Sequence, residues 1–228
     1  MMDRPDAEPS RVRESLRDLA GVNRYLGGRA ALLPGLRRAL AGRSAAGAGW
    51  SLLDVGTGAA DVPAWAAAWA RSRGYDVTVV GLDRGRAAIA VARETVSGDG
   101  TVALVRGDAL ALPFRDRAFD VAMSSTTLHH FSGEAAVRLL RELHRVARRG
   151  VVIGDLRRSI PGYIGARLLA ATVWRGHRYA RHDGPLSVRR AYTVPEVRGL
   201  LRAAGLDGRV QRRAFFRLSV WIPVETER

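Results

Sequence analysis

The sequence predicts an α/β fold, a seven-stranded and mostly parallel sheet with helices on both faces. Two observations carry this. Short apolar runs around Leu52, Val79, Val105, Val121 and Val152 alternate with helix-length stretches. That alternation marks strand–helix–strand units joined by right-handed crossovers. The run Leu52-Leu53-Asp54-Val55 also ends in a carboxylate and passes at once into the turn Gly56-Thr57-Gly58 and a helix. A glycine turn between strand and helix lets the backbone bend sharply and aims helix N–H groups at a ligand.

The elements follow in order. Residues 1–9 read as a tail. Ser10 is placed to cap a helix to about Ala20, with Leu16 and Leu19 on one face. Gly27-Gly28 breaks the pattern, and Leu32, Leu33, Leu36 and Leu40 stripe a second helix over 29–40. Residues 43–49 form a small-residue linker. Strands are predicted over 51–55, 76–82, 101–106, 119–124 and 150–155, with helices over 60–73, 85–97 and 133–148. Gly150 is expected to stop the last of these helices. Residues 156–192 leave the alternation: a helix over 160–174, then a polar stretch. An insertion there would sit over the carboxyl ends of the strands, where ligands bind in such folds. Thr193 then caps a helix to about Ala204, with Glu196 three residues on and Gly205 at its end. Residues 207–213 and 215–222 read as a closing hairpin. The expected organisation is an N-terminal tail and helical lid over 1–49 and a catalytic domain over 50–228, within which 156–192 is a substrate cap.

Composition sets bounds. A chain of 228 residues with 47% hydrophobic content suits one domain with a substantial core. There is no cysteine, which excludes disulfides and thiolate metal sites, and no metal is expected. The N-terminus lacks an apolar signal core, and no apolar run approaches the ~20 residues of a membrane span. A cytoplasmic protein is the expectation. The net charge of +15 invites a nucleic-acid reading. All 37 basic residues are arginine, however, spread along the chain without interleaved aromatics. Solvated helix faces account for most of them.

Three cofactor classes compete for the glycine turn. A phosphate-cradling loop needs a Gly-Lys-Ser/Thr ending, and the chain has no lysine. A dinucleotide loop needs a third glycine where this chain has Asp61, whose carboxylate would repel a pyrophosphate. Asp54 adds a second negative charge. Two acids beside a glycine turn suit a cationic ligand without phosphate, and S-adenosylmethionine, with its sulfonium, amino group and ribose, is such a ligand.

Four motifs in order strengthen this. Asp54, Gly56, Thr57 and Gly58 come first, and Asp83 ends the second strand. Asp108 follows the third strand in Arg106-Gly107-Asp108-Ala109, and Leu112-Pro113-Phe114 precedes Phe119-Asp120. Over about residues 50–156 the chain resembles class I S-adenosylmethionine-dependent methyltransferases, with a core like that of the methyltransferase-11 and quinone C-methyltransferase type. The resemblance implies a Rossmann-like sheet. It also implies that Asp54 and the glycines hold the methionine part, Asp83 the ribose hydroxyls and Asp108 the adenine amino group. Asp61, Arg84, Gly107, Ala109 and Ser124 complete the implied cofactor set. Ala60 departs from the third glycine of many members. The N-terminal helices would lid the cofactor, with Asn23, Arg24 and Tyr25 near it.

Methyl transfer asks the protein to hold a nucleophile in line and exclude water, with a general base where the acceptor is a phenol or an acidic carbon. Candidates lie after the fourth strand, in Leu128-His129-His130, which is similar to a segment of small-molecule members. Either His129 or His130 could take such a proton, although adjacent histidines on a helix do not easily face one site. Asp155, ending strand five, is a third catalytic candidate, with a salt bridge to Arg157 or Arg158 as its plain alternative. In the cap, His177, His182, Asp183 and Tyr192 could orient a substrate, with Tyr163 and Trp174 as aromatic walls. Trp65 and Trp69, four apart on a helix, read as packing.

The expected function is methyl transfer from S-adenosylmethionine to a small molecule (phenolic, quinone-like or polyketide), at oxygen or carbon. An RNA methyltransferase is the alternative, and a cofactor-binding scaffold without transfer activity is a third reading. The segment Ser124-Ser125-Thr126-Thr127 lacks the Asn/Asp-Pro-Pro-aromatic motif of base-amino methylation, and cytosine C5 chemistry would need a cysteine.

Overall fold

The computed structural model describes residues 9–41 and 49–225. The expected tail, apart from Pro9, and most of the expected linker lie outside the described residues.

Seven strands form a single sheet: β1 (Trp50–Val55), β2 (Val77–Asp83), β3 (Val102–Arg106), β4 (Phe119–Ser125), β5 (Ala147–Leu156), β6 (Arg209–Arg213) and β7 (Arg217–Pro223). Their order is β3-β2-β1-β4-β5-β7-β6. The first five pair in parallel, and β7 runs antiparallel to both β5 and β6. The order reverses between β1 and β4, which share an edge. Such a switch point opens a crevice at the carboxyl ends of the strands.

Eight helices accompany the sheet among the described residues: α1 (Pro9–Tyr25), α2 (Gly28–Leu40), α3 (Asp61–Arg71), α4 (Arg86–Thr95), α5 (Glu134–Val146), α6 (Ile160–Ala171), α7 (Arg178–Arg190) and α8 (Val194–Ala204). α2, α3 and α4 cover one face of the sheet. Leu32, Leu36, Val62, Ala66 and Ala92 pack there on Leu52, Val79, Met123 and Val152. α5 and α8 cover the other face, where Leu139, Leu143, Val197 and Leu201 meet Leu53, Val151, Ile153 and Val220. Both faces of the central strands are therefore buried, which is why those strands read as unbroken apolar runs rather than alternating ones.

Several boundaries differ from expectation for physical reasons. α1 runs to Tyr25, and Ser10 lies in its first turn rather than capping it. α2 is a core helix rather than part of a lid: a Cβ on Gly35 would come within 2.7 Å of Val152, so the helix backbone lies directly on β5. Gly150 does not end a helix. α5 stops at Val146 and β5 begins at once. Gly150 sits inside β5 because a Cβ there would strike the Trp221 ring at 2.3 Å. Residues 178–190, within the stretch where the sequence predicts no element, form α7. The capping box of Thr193 and Glu196 is present and starts α8, a contribution of ~1 kcal/mol. Gly205 ends α8 in the left-handed conformation.

Candidate active site

The turn after β1 holds the first group of candidates. Gly56 and Gly58 both have positive φ, 78° and 54°, which glycine alone adopts without strain. Space around them is already used. A Cβ on Gly56 would meet Thr127 at 2.3 Å, and one on Gly58 would meet Leu16 of α1 at 3.2 Å. The turn is thus clamped between the loop after β4 and the first helix. Asp54 is buried, and among the described residues neither its Oδ1 nor the buried Thr57 Oγ1 has a hydrogen-bond partner. Burial pushes the Asp54 carboxyl up to about 7; the Thr57 side chain pulls the other way, and Asp61 and Asp83 add to the rise. A buried carboxylate oxygen and a hydroxyl without partners suit a ligand that brings a cation and hydrogen-bonding groups.

Asp83 ends β2 and is tied down by the backbone. Its Oδ2 accepts from Gly58 N at 3.0 Å and its Oδ1 from Gly85 N at 2.8 Å. These bonds fix the carboxylate at the rim of the turn and leave lone pairs for hydroxyl donors. Asp108 is exposed after β3 and accepts from Leu110 N at 2.9 Å, closing a small turn beside Gly107 and Ala109. Asp54, Asp83 and Asp108 therefore stand at the carboxyl ends of three adjacent strands, β1, β2 and β3. Arg84 is exposed on the loop after β2.

Two members of the expected cofactor set are engaged elsewhere. Ser124 is buried within β4 and donates to Val55 O at 2.9 Å, so its hydroxyl is spent inside the sheet. Asp61 faces the N-terminal helices. Asn23 Nδ2 lies 3.4 Å and Arg29 Nη2 3.5 Å from its carboxylate. Burial raises its pKa while Arg29 and Asn23 oppose the rise. Asn23 is buried and also accepts from Thr126 Oγ1 at 3.3 Å, so it ties α1 to both loops. Arg24 stacks on Tyr25, whose side chain is exposed.

The second group lies after β4. Leu128–His130 forms a short 3₁₀ turn. His129 Nδ1 is 2.7 Å from Asp155 Oδ1, and His129 N donates to Asp155 Oδ2 at 3.1 Å. The topology explains the pairing. β4 and β5 are parallel neighbours with Ser125 opposite Gly154, so the residues just beyond meet. Burial alone would raise the Asp155 pKa. The His129 ring and the N–H groups of His129 and Leu156 outweigh it and hold the carboxyl below its usual value. An ionised Asp155 makes Nδ1 the donor and leaves Nε2 with its lone pair. The alternative partners of Asp155 are occupied otherwise: Arg158 pairs with Glu196, and Arg157 lies over the Phe216 ring. His129 and His130 rings lie 4.3 Å apart, and both line the same cavity, which a 3₁₀ turn permits.

That cavity has a volume of about 470 Å³ and a mostly apolar wall. Leu19 and Val22 of α1, Leu169 of α6, Trp174 and Val188 contribute to it, with Thr126, His129 and Arg217 as polar groups. Trp174 and Asp183 line it as expected. Tyr163, His182 and Tyr192 do not: the Tyr192 hydroxyl donates to Phe131 O, and His182 pairs with its neighbour Asp183. His177 bridges instead to Asp18 of α1, Nδ1 to Oδ2 at 2.6 Å. Trp65 and Trp69 pack on each other as expected, 6.5 Å between ring centroids.

Arg217 is the residue that sequence reasoning missed. It is 1% exposed, donates to Leu26 O at 3.1 Å and to Thr126 Oγ1 at 3.3 Å, and among the described residues no carboxylate forms a salt bridge with it. Burial lowers its pKa to about 10, with Asp155 opposing the shift. Nothing marks it out among 37 arginines in the sequence.

Sheet order, glycine turn and the three acids together make an α/β domain with an acidic crevice at the carboxyl ends of β1, β2 and β3. Residues 53–153 match the family model described as a methyltransferase domain. Over that stretch the chain is similar to methyltransferases, and curated demethylmenaquinone methyltransferases are distant relatives over about half its length. The demethylmenaquinone methyltransferase of Anoxybacillus flavithermus is 36% identical over 129 residues, 56% of this chain and 52% of that one. That of Roseiflexus sp. is 33% identical over 148 residues, 64% and 56% of the two chains. The chain spans about half the length of these curated relatives. Among solved structures, an S-adenosylmethionine-dependent methyltransferase from Aquifex aeolicus superposes with TM-score 0.67 at 20% identity, covering 96% of this chain and 100% of that one. Human N-acetylserotonin methyltransferase, solved with S-adenosylmethionine, gives 0.68 at 13% identity, covering 96% and 57%. These two likenesses concern the fold.

Proposed function

We propose that the chain transfers a methyl group from S-adenosylmethionine to a small apolar acceptor of phenolic, quinone-like or polyketide type, at oxygen or carbon. The observation that carries this reading is the His129–Asp155 pair at the wall of an apolar cavity beside the acidic turn. The quinone-type relatives support an aromatic acceptor.

The residues at the turn fit the donor. Asp54 would take its ammonium, the Gly56-Thr57-Gly58 backbone its methionine part, Asp83 the ribose hydroxyls and Asp108 the adenine amino group. The donor supplies a methyl already activated by the positive sulfonium. The protein's own work is to orient the acceptor, exclude water and move one proton. The acceptor O–H or acidic C–H would give its proton to His129 Nε2, and its electron pair would bond the methyl as the methyl–sulfur bond breaks and that bond's pair leaves with the sulfur as a neutral thioether. Asp155 holds the ring in the required tautomer and stabilises the imidazolium, as a carboxylate does for a catalytic histidine. The guanidinium of Arg217 in the same cavity favours the anionic form of the acceptor. Apolar walls from α1, α6 and the segment after it keep water from both groups.

Methyl-labelled S-adenosylmethionine and a panel of apolar phenols, quinols and polyketide fragments test the reading. Turnover is expected on one or more members. His129→Gln should slow it by about 10²-fold or more, the scale of a lost general base, with donor affinity unchanged. Wild-type turnover in that variant would remove His129 as the base.

A further inference from the structure

The surface around the cavity mouth carries an exposed apolar patch that extends beyond the cavity itself. On α6, Ile160, Ile164 and Leu168 are 78%, 52% and 62% exposed and recur every four residues, so they form one outward stripe. Val173, just beyond, is 66% exposed. Phe215 and Phe216, in the turn between β6 and β7, are 58% and 39% exposed. Phe216 abuts α6, since a Cβ on Gly162 would lie 3.1 Å from it. Leu168, Phe215 and Phe216 also line the cavity, so the patch and the cavity wall are continuous.

The backbone bears a cost at this place. Phe215 and Phe216 are consecutive left-handed residues, with φ of 55° and 53°. Glycine and asparagine normally fill such a tight hairpin turn. Here two bulky rings occupy it and remain exposed, although a turn residue would fold more readily.

Charge identifies the occupant. Residues 157–190 contain eight arginines and a single acid, Asp183. Arg167 and Arg175 are exposed on and just after α6, and Arg157 lies over the Phe216 ring. A second copy of this chain meeting the patch across a two-fold axis would bring this arginine-rich segment against itself. An anionic bilayer fits instead. Its interior takes the aliphatic and phenyl side chains to the depth of the headgroups, and its phosphates meet the arginines.

We infer that α6 and the β6–β7 turn form a docking face for the surface of an anionic lipid bilayer, lying in the interface without crossing it. A lipophilic acceptor then enters the cavity from the bilayer without passing through water. Binding of the face to lipid does not depend on the reaction proposed above, and the two are tested by separate readouts.

The test is co-sedimentation of the full chain with vesicles. Phosphatidylcholine vesicles containing phosphatidylglycerol should retain the protein, and pure phosphatidylcholine vesicles should retain at least tenfold less, the expected share of the arginine–phosphate attraction. Ile164→Asp/Leu168→Asp should abolish retention. Phe215→Asn/Phe216→Gly relieves the turn and removes only the rings, so it should fold at least as well and still lose most retention. Unchanged affinity for S-adenosylmethionine in both variants verifies folding. Failure of the wild type to bind anionic vesicles overturns the inference, as does full binding by the Phe215/Phe216 variant. A dimer in light scattering that these substitutions dissociate, without vesicle binding, assigns the face to a second copy and overturns it too. Methyl transfer to a water-soluble acceptor would survive any of these failures.

Discussion

Two buried acids with opposite environments divide the work at the scale of single residues. Asp155 accepts three hydrogen bonds, from the His129 ring, His129 N and Leu156 N, and its carboxyl is held below its usual range. Asp54 has an unpartnered oxygen, and burial lifts it to about 7. A ligand ammonium beside Asp54 favours its charged form, so binding must expel a proton wherever Asp54 starts protonated. Calorimetry at about pH 6 in buffers of different ionisation enthalpy should show release of most of one proton per donor bound. Affinity should rise between about pH 5.5 and pH 7, below the range where the donor's own amino group titrates, and Asp54→Asn should flatten that rise. A pH-independent affinity in the wild type would take Asp54 out of the donor site.

The acids and histidines were legible as candidates because each sits at the end of an apolar run. Their partnerships were not. Asp155 had nearby arginines in sequence, while its partner His129 lies 26 positions away and meets it only through the pairing of β4 with β5. Asp61 follows the glycine turn, but its contacts with Asn23 and Arg29 come from remote helices and could not be read from the sequence. Arg217 had no sequence signal at all.

For the elements, periodicity found the strands and helices, and tertiary packing decided their ends. Gly150 reads locally as a helix stop, but Trp221 on β7 determines its role. Gly150→Ala should destabilise the protein by about 1–3 kcal/mol, because the new methyl meets both the indole and the Ile222 carbonyl, the latter at 2.8 Å. A denaturation midpoint equal to the wild type's would show that the sheet yields there. α1 also lies where sequence reasoning placed a lid, while α2 does not. A latch holds α1 to the cap through His177 and Asp18. The hydrogen bond and charge of Asp18 raise the His177 pKa, and Glu14 adds to this. A raised folded-state pKa means the latch strengthens below the ordinary histidine range and is lost as pH rises through the folded value. Hydrogen exchange of α1 should therefore be slower at about pH 6 than at about pH 8 after correction for intrinsic rates, and His177→Gln should remove the difference.

The whole molecule separates donor and acceptor along the carboxyl edge of one sheet. The acids of β1, β2 and β3 lie on one side of the switch point, and the histidine, Asp155 and apolar cavity lie on the other. The loop after β4 joins them, with Thr127 packed on Gly56 and Thr126 in the cavity wall. Alternating strands and helices sufficed to read this architecture, since both follow from burial of two sheet faces. The cap was harder, because α6 and α7 pack mainly on each other and on α1 around a cavity rather than on the sheet. Among the described residues no helix is long and apolar enough to cross a membrane.

A double-mutant cycle on labelled methyl transfer, with His129→Gln, Asp155→Asn and both together, tests most directly whether the pair acts as one unit in moving the acceptor's proton. The predicted result is strong non-additivity, the double variant being hardly slower than His129→Gln alone while all three bind the donor like the wild type. Losses that simply multiply, or full turnover in any of the three, would contradict it.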